Sequence, residues 1–197
     1  MEDTQRTKID RDIAPDEIFL RCLVKPLMKK GKDRLQHTAV LPPPNDDVVS
    51  VLRLKYIREE DAVKHGKSLE IKGNTFWGLA KITNSAISET NSWALSKDSE
   101  TDGIDGINGI QSEIIASPMY NGTEYIKEGI DVYMDDPKIT FPLQTHAELK
   151  YNEKNSDDVK TRLRIYANQL IKKLSYKLVD ENGNLGKWIQ EQSSINE

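Results

Sequence analysis

The chain has 197 residues, of which 37% are hydrophobic and 30% are charged, and its formal net charge at pH 7 is −4. This length is enough to bury the core of one large domain, and the weak net acidity gives no overall reason to expect nucleic-acid binding. The single cysteine, Cys22, cannot form an intrachain disulfide, and no run approaches the roughly 20 apolar residues that span a bilayer.

The N-terminal part of the chain predicts three strands. Residues 16–26 alternate apolar side chains along one face, as a strand does, and Pro26 is expected to end it. Residues 37–41 and 48–57 predict two more strands, and the second is apolar on both faces, which is typical of a central strand. The prolines at 42–44 between them restrict three consecutive φ angles, so we interpret this segment as a stiff corner.

The next segments are predicted to be short and increasingly irregular. Residues 59–66 predict one or two helical turns, and the Gly-Asn pair at 73–74 predicts a hairpin turn before another strand. Gly78 inside that strand indicates a bulge or a close approach of another backbone. Asp/Asn-Gly-Ile then occurs three times in 102–110, and we predict a long exposed loop near 95–112.

The C-terminal part predicts more strands and one long helix. A second Asn-Gly hairpin turn is expected at 121–122, followed by strands at 130–134 and 139–151. Residues 157–180 predict a helix with Ser156 as its N-cap. Its apolar positions follow the helical period and form one stripe: Val159, Leu163, Tyr166, Ala167, Leu170, Leu174 and Leu178.

These elements predict an α+β fold, in which a mainly antiparallel sheet of about six to eight strands is packed against the long C-terminal helix. The helix has to bury its stripe, because a helix of this composition is not stable alone in water. We expect a flexible N-terminal segment at 1–14 and a single domain at 15–192. Residues 1–14 lack the apolar stretch of a signal peptide, so we expect a cytoplasmic protein without a membrane partner.

The specific motifs for metals and cofactors are absent from the sequence. Three isolated histidines and one cysteine form no ligand pair at metal-binding spacing. Residues 98–103 begin like a calcium loop, but Gly109 stands at the twelfth position, where a bidentate glutamate is required. The glycine-rich phosphate loops are also absent. The sequence therefore predicts no metal site and no cofactor.

Polar residues inside predicted strands are the candidates for a catalytic site: Arg21, Arg53, His146 and Glu148. Arginine is unfavourable to bury unless its donors are matched. Two arginines with a histidine and a carboxylate, and with His37 as a nearby binding residue, could hold a phosphate or another anionic small molecule. His146 could also exchange a proton near neutral pH. The alternative is that each arginine faces solvent or pairs with an acidic residue.

Charge is unevenly distributed along the chain. Residues 99–158 contain 4 basic and 13 acidic side chains, whereas residues 159–177 contain 6 basic and no acidic ones. Lys160, Arg164 and Lys172 on the predicted helix could contact nucleic-acid phosphates. The six cations spread around the polar arc, however, so the solvated face of a docked helix explains them better, and nucleic acid is not the expected partner.

The pieces Arg21, Val49 to Arg53 and His146 to Glu148 together carry a partial resemblance. Their order resembles small bacterial proteins that carry an arginine strand, an S-V-x-R strand and a late His-Ala-acid strand before a final helix. The matching residues cover about a tenth of the chain. The resemblance implies a bacterial origin, with a mobile element as one source, and supplies no activity to transfer.

The absence of every catalytic motif tested favours a non-catalytic accessory or protein-interaction protein, with a protein partner at the acidic middle segment. One alternative is an enzyme that acts on a phosphate-bearing or nucleotide substrate through the four polar strand residues. A second alternative is nucleic-acid binding through the basic helix. The test that best distinguishes these hypotheses is whether Arg21, Arg53 and His146 converge on one cavity.

Overall fold

The computed structural model describes residues 7–24, 35–70, 75–97, 106–118, 123–134, 146–180 and 182–190. In these ranges seven strands form one antiparallel sheet, and three α-helices accompany it. The α+β class and the antiparallel sheet are therefore confirmed. Among the described helices, none combines the length and the apolar character that crossing a membrane would require.

The strands are β1 (Ile18–Val24), β2 (Val48–Arg53), β3 (Phe76–Thr83), β4 (Ser112–Ala116), β5 (His146–Tyr151), β6 (Ser175–Leu178) and β7 (Ile189–Gln190). Their order in the sheet is β4-β5-β2-β1-β3-β6-β7. The ladder between β1 and β2 consists of two pairs, Phe19 opposite Arg53 and Leu20 opposite Leu52. The two central strands therefore part soon after Leu20, and this gap positions the candidate site.

The helices are α1 (Glu59–Ser68), α2 (Asn84–Leu95) and α3 (Lys160–Ile171), and short 3₁₀ turns occur at His37–Ala39 and Ile107–Gly109. Helix α2 follows β3 without a loop, because the Thr83 hydroxyl accepts the Ala86 N–H as an N-cap. The sequence did not predict α2, since its serines, threonine and asparagines have low helix propensity. Its buried residues nevertheless recur at helical spacing: Ala86, Ile87, Thr90 and Ala94.

The two faces of the sheet carry cores of different size. The main face, which includes Phe19, Val51 and Leu149, forms one large core with the buried residues of α2 and α3. The opposite face, here called the α1 face, carries a smaller cluster that includes Leu20, Leu52 and other residues beneath α1. Helix α1 packs on β1 and β3. It approaches closely at Gly66, where a Cβ would lie 2.2 Å from the Phe76 ring.

The predicted long C-terminal helix is not confirmed, because α3 ends at Ile171 and residues 175–178 form β6. The stripe from Val159 to Leu174 is buried as predicted. Beyond it the chain extends, and β6 pairs with β3 opposite Gly78. A Cβ on Gly78 would lie 1.8 Å from the Lys177 carbonyl oxygen, so the close backbone approach predicted there is confirmed. Strand pairing thus overrides the four-residue spacing that suggested a longer helix.

Several shorter predictions need correction. Residues 37–41 begin with a 3₁₀ turn and form no strand, and β2 ends at Arg53, four residues before the predicted end at 57. The strand predicted at 130–134 is reduced to an isolated bridge between Lys8 and Tyr133. The segments 37–41 and 130–134 are five residues each, too short for their apolar residues to specify a strand without a neighbouring ladder.

The structure agrees only in part with the exposed loop that the sequence predicts near 95–112. Ile107 and Ile110, which end the second and third copies of the Asp/Asn-Gly-Ile repeat, are fully buried in the main core. Residues 98–105 lie outside the described ranges, as do the predicted turns at 73–74 and 121–122 and the segment 135–145.

The N-terminal segment is packed where the structure describes it. Ile9 is buried, and its N–H donates to the Val132 carbonyl at 2.8 Å. Residues 7–14 are therefore attached to the domain by contacts that the polar sequence did not suggest, whereas residues 1–6 lie outside the described ranges.

Candidate functional site

A cavity of about 330 Å³ lies on the α1 face, between helix α1 and strands β1, β2 and β5. We call it the α1 cavity, and its lining residues are Leu20, Arg21, Cys22, Ser50, Val51, Leu52, His65, Leu69 and His146. Its volume is at the lower end of the range for small-molecule sites. The cavity exists because α1 packs on β1 and β3 and extends only its C-terminal end toward β2 and β5.

The floor of the cavity is one row of the sheet. Leu20 pairs with Leu52, and Leu52 pairs with His146, so these three side chains stand side by side across β1, β2 and β5. Paired residues point to the same face of a sheet. The row places an apolar surface, here called the leucine floor (Leu20 and Leu52), directly beside an imidazole.

Arg21 alternates with Leu20 along β1, so its side chain leaves the strand on the main face, and its guanidinium lies in the gap where β1 and β2 part. Its Nη1 donates to the Ser50 carbonyl at 2.9 Å, and its Nε donates to the Ala39 carbonyl at 3.2 Å. The ladder between β1 and β2 ends before Ser50, so no main-chain N–H of β1 reaches the Ser50 carbonyl, and the Arg21 guanidinium donates to it instead. Its Nη2 has no hydrogen-bond acceptor among the residues that the structure describes. One fixed cation with spare donor capacity therefore stands at the cavity wall.

Two histidines face each other across the cavity, His65 from α1 and His146 from β5. The Nδ1 of His146 lies 2.8 Å from the Ser117 hydroxyl oxygen, which fixes the ring. Burial, with smaller effects from His65 and Arg21, lowers the pKa of His146 to about 4. Burial also lowers the pKa of His65. Both imidazoles are therefore mainly neutral at pH 7 and offer hydrogen bonds without charge.

Cys22 supplies an apolar wall to the cavity and no nucleophile. Burial, opposed weakly by Arg21, raises the pKa of its thiol to about 11. The Sγ donates to the Ala62 carbonyl of α1 at 3.7 Å. Because the thiolate is the reactive form, this cysteine is unreactive at neutral pH.

Arg53 lies away from the cavity, on the main face opposite Phe19. It is buried, and its Nε and Nη2 donate to the two Glu17 carboxylate oxygens at 2.5 and 2.8 Å. It also donates to the main-chain carbonyls of Asp10 and Asp12. This arginine is paired with an acidic residue, and it attaches the N-terminal segment to the sheet.

The structure therefore does not bring the four predicted catalytic residues together. Arg21 and His146 both line the α1 cavity, Arg21 through the gap between β1 and β2, whereas Arg53 does not line it. Glu148 shares the face of His146, opposite Ser50 on β2, but it does not line the cavity. His37 is in a 3₁₀ turn beside α3, and burial, together with the nearby Arg164, lowers its pKa.

The basic segment of α3 and β6 is largely engaged within the protein. Carboxylates pair with three of its six cations, in the contacts Lys160–Asp157, Lys173–Glu89 and Lys177–Glu59. Lys172 donates to Gln169 at 3.4 Å, and Arg164 is exposed beside His37. The cations left for phosphates do not form a continuous stripe, as the helical wheel already indicated.

The sequence interpretation missed His65 and Leu69 as site residues. Ala62, His65 and Leu69 are spaced i, i+3, i+7, so they share one face of α1. That spacing was readable in the sequence. What could not be read was that this face would stop short of β5 and leave a cavity.

Another cavity, of about 520 Å³, runs along residues 8–15 and 129–131. Most of its charged groups are matched: Lys8 pairs with Asp131 at 2.6 Å, Asp10 pairs with Lys55 at 2.6 Å, and Arg11 donates to the carbonyls of Lys127 and Ile130. The α1 cavity is the better candidate, because its polar groups have unused hydrogen-bonding capacity. Within the described ranges, no three metal-binding side chains cluster closely enough to hold an ion.

No protein-family model, curated protein or solved structure matched this chain. The described residues form an α+β protein with a cavity of about 330 Å³ on the face of the sheet that carries the smaller core cluster.

Proposed function

We propose that the protein is a non-catalytic accessory protein that binds a small molecule in the α1 cavity. The observation that carries the proposal is the combination of an apolar floor with convergent, uncommitted polar groups in about 330 Å³. Pockets that bind small molecules have this composition. The Nη2 of Arg21, the Nε2 of His146 and the ring nitrogens of His65 are without partners among the described residues.

The chemistry of the cavity favours binding over catalysis. A general base acts best when its pKa lies near the working pH, and the pKa of about 4 makes His146 a weak base. The thiol of Cys22, with its pKa of about 11, is not an activated nucleophile. The enzyme hypothesis required four residues in one site. Arg21 and His146 line the α1 cavity, but Glu148 and Arg53 do not.

The accessory role includes a protein partner in this proposal. A domain that binds a ligand without transforming it has to pass the consequence of binding to another molecule. The excess of acidic residues in 99–158 is the support for a partner with a basic surface. Nucleic acid is disfavoured as that partner, since half of the cations of residues 159–177 pair with carboxylates.

Blocking the cavity tests the proposal. Leu69 lies at the mouth and is 38% exposed, so Leu69→Trp can fill the entrance without disturbing the core. The matched control is Leu95→Trp, at an exposed leucine that ends α2 and does not line the cavity. The assay is the thermal unfolding of each protein in the presence of a panel of small molecules.

We expect some compounds to raise the midpoint of the wild type and of Leu95→Trp, because a ligand that binds only the folded state stabilises it. Leu69→Trp should lose that response. A panel that stabilises all three proteins equally, or none of them, would contradict binding in the α1 cavity.

A further inference from the structure

The charge of the α1 cavity restricts which small molecules it can hold. Arg21 is a permanent cation, because guanidinium groups stay protonated in proteins. No carboxylate is among the described residues that line the cavity, and both histidines are mainly neutral at pH 7. Arg21 is therefore the charged side chain of the described lining at pH 7, and a single negative charge on the ligand would balance it.

The donors of Arg21 restrict the shape of the anion. Two of its nitrogens are committed to main-chain carbonyls, which leaves Nη2 without an acceptor among the described residues. The imidazoles of His65 and His146 add neutral hydrogen bonds nearby. A phosphate dianion needs several charged donors, whereas a carboxylate with two oxygens needs one cation and one or two neutral donors.

The rest of the lining restricts the remainder of the ligand. The leucine floor and Leu69 present hydrocarbon to the interior, and the thiol of Cys22 behaves as an apolar group. The volume of 330 Å³ equals that of about eleven water molecules in the liquid. A ligand with roughly ten non-hydrogen atoms therefore fits.

On the basis of the proposed function, we propose that the ligand of the α1 cavity is a small organic carboxylate with a hydrocarbon tail. Its carboxylate faces Arg21 between the two histidines, and its tail lies on the leucine floor. The ion pair forms in a partly desolvated site, where a charged hydrogen bond is stronger than at the surface. The apolar contact supplies the remaining affinity through burial of hydrocarbon.

Octanoate and octanol are suitable probes, because they share a tail and differ in charge at pH 7. Isothermal titration calorimetry should give at least about tenfold tighter binding of octanoate by the wild type, which is the gain from one charge-assisted hydrogen bond. Arg21→Met should remove this preference, so that the ratio of the octanoate affinity to the octanol affinity falls to about one. Leu69→Trp should abolish binding of both probes, and Leu95→Trp should bind both like the wild type.

The outcomes separate this inference from the proposed function. Equal affinities of the wild type for octanoate and octanol would leave a small-molecule cavity in place and overturn the carboxylate. Inorganic phosphate that displaces octanoate at comparable concentration would also overturn it. Absence of binding of either probe, together with no response to the wider panel, would refute both statements. The wild-type comparison does not depend on the folding of any variant.

Discussion

The buried ion pair of Arg53 and Glu17 allows a direct test of how the N-terminal segment is held. Arg53→Met keeps much of the volume of the side chain and removes its charge. The Glu17 carboxylate, which is also buried, would then lose both of its guanidinium hydrogen bonds. The main-chain carbonyls of Asp10 and Asp12 would lose their donors at the same time.

The expected loss of stability follows from these contacts. Removing one partner of a buried ion pair lowers the free energy of unfolding by about 3–5 kcal/mol, because the other charge remains buried and unpaired. The two lost main-chain contacts add about 1 kcal/mol each at most, since residues 10 and 12 are exposed and water can replace the donor. We therefore expect a total loss of at least about 3 kcal/mol and a fall of on the order of 1 M or more in the urea midpoint.

Urea unfolding followed by tryptophan fluorescence measures this loss. The control is Lys55→Met, which removes an exposed lysine 2.6 Å from Asp10 in the same segment and should leave the midpoint unchanged. The double variant Arg53→Met/Glu17→Leu should recover most of the stability, because it leaves no unpaired charge. A loss below about 1 kcal/mol for Arg53→Met, or a double variant no more stable than the single one, would refute the reasoning.

Three further predictions test other parts of the structure. Gly78→Ala should lower the free energy of unfolding in urea by more than about 2 kcal/mol, because its Cβ would overlap the Lys177 carbonyl and its φ is +150°. The control Gly109→Ala, which has open space around its Cβ, should have little effect. Equal stabilities of the two variants would contradict the close strand approach. Native Cys22 should react with iodoacetamide roughly 100-fold more slowly at pH 8 than in urea, since burial raises its pKa from 9.0 to about 11, and equal rates would show an accessible thiolate. The pKa of His146 is lower in the folded state than the ordinary value of 6.5, so its contribution to stability is present above pH 6.5 and is lost as the pH falls toward about 4. His146→Gln should therefore flatten the fall in urea midpoint between pH 7 and pH 5. An unchanged slope would contradict the burial of a neutral imidazole at this position.

The fold class was readable because alternation along β1 and the helical period of α3 are local patterns. Along β1, Phe19 and Leu23 pack in the main core and Leu20 and Cys22 pack on the α1 face, so the faces alternate as predicted. The stripe from Val159 to Leu174 is buried. The end of α3 was not readable, because residues 175–178 are compatible with a helix until β3 offers them a ladder. Helix α2 was missed for the opposite reason, since its own propensity is weak and its burial against the main core stabilises it.

The candidate site was only half readable. Arg21 and His146 stand out in the sequence because polar residues interrupt apolar strands, and both line the α1 cavity. Arg53 stands out in the same way and has a structural role with Glu17. Sequence alternation cannot separate these cases, because the acid that pairs with an arginine is 36 positions away in the chain.

Local patterns along the chain indicate which segments can be strands or helices, and they exclude the metal and phosphate motifs that depend on fixed spacing. Three features follow only from how distant segments pack: β1 and β2 part after two residue pairs, Arg21 fills the gap, and α1 leaves a cavity above the leucine floor. The difference lies in the range of the interactions. Backbone propensity and side-chain period act over a few neighbouring residues, whereas a cavity and the charge within it depend on contacts between segments far apart in the chain.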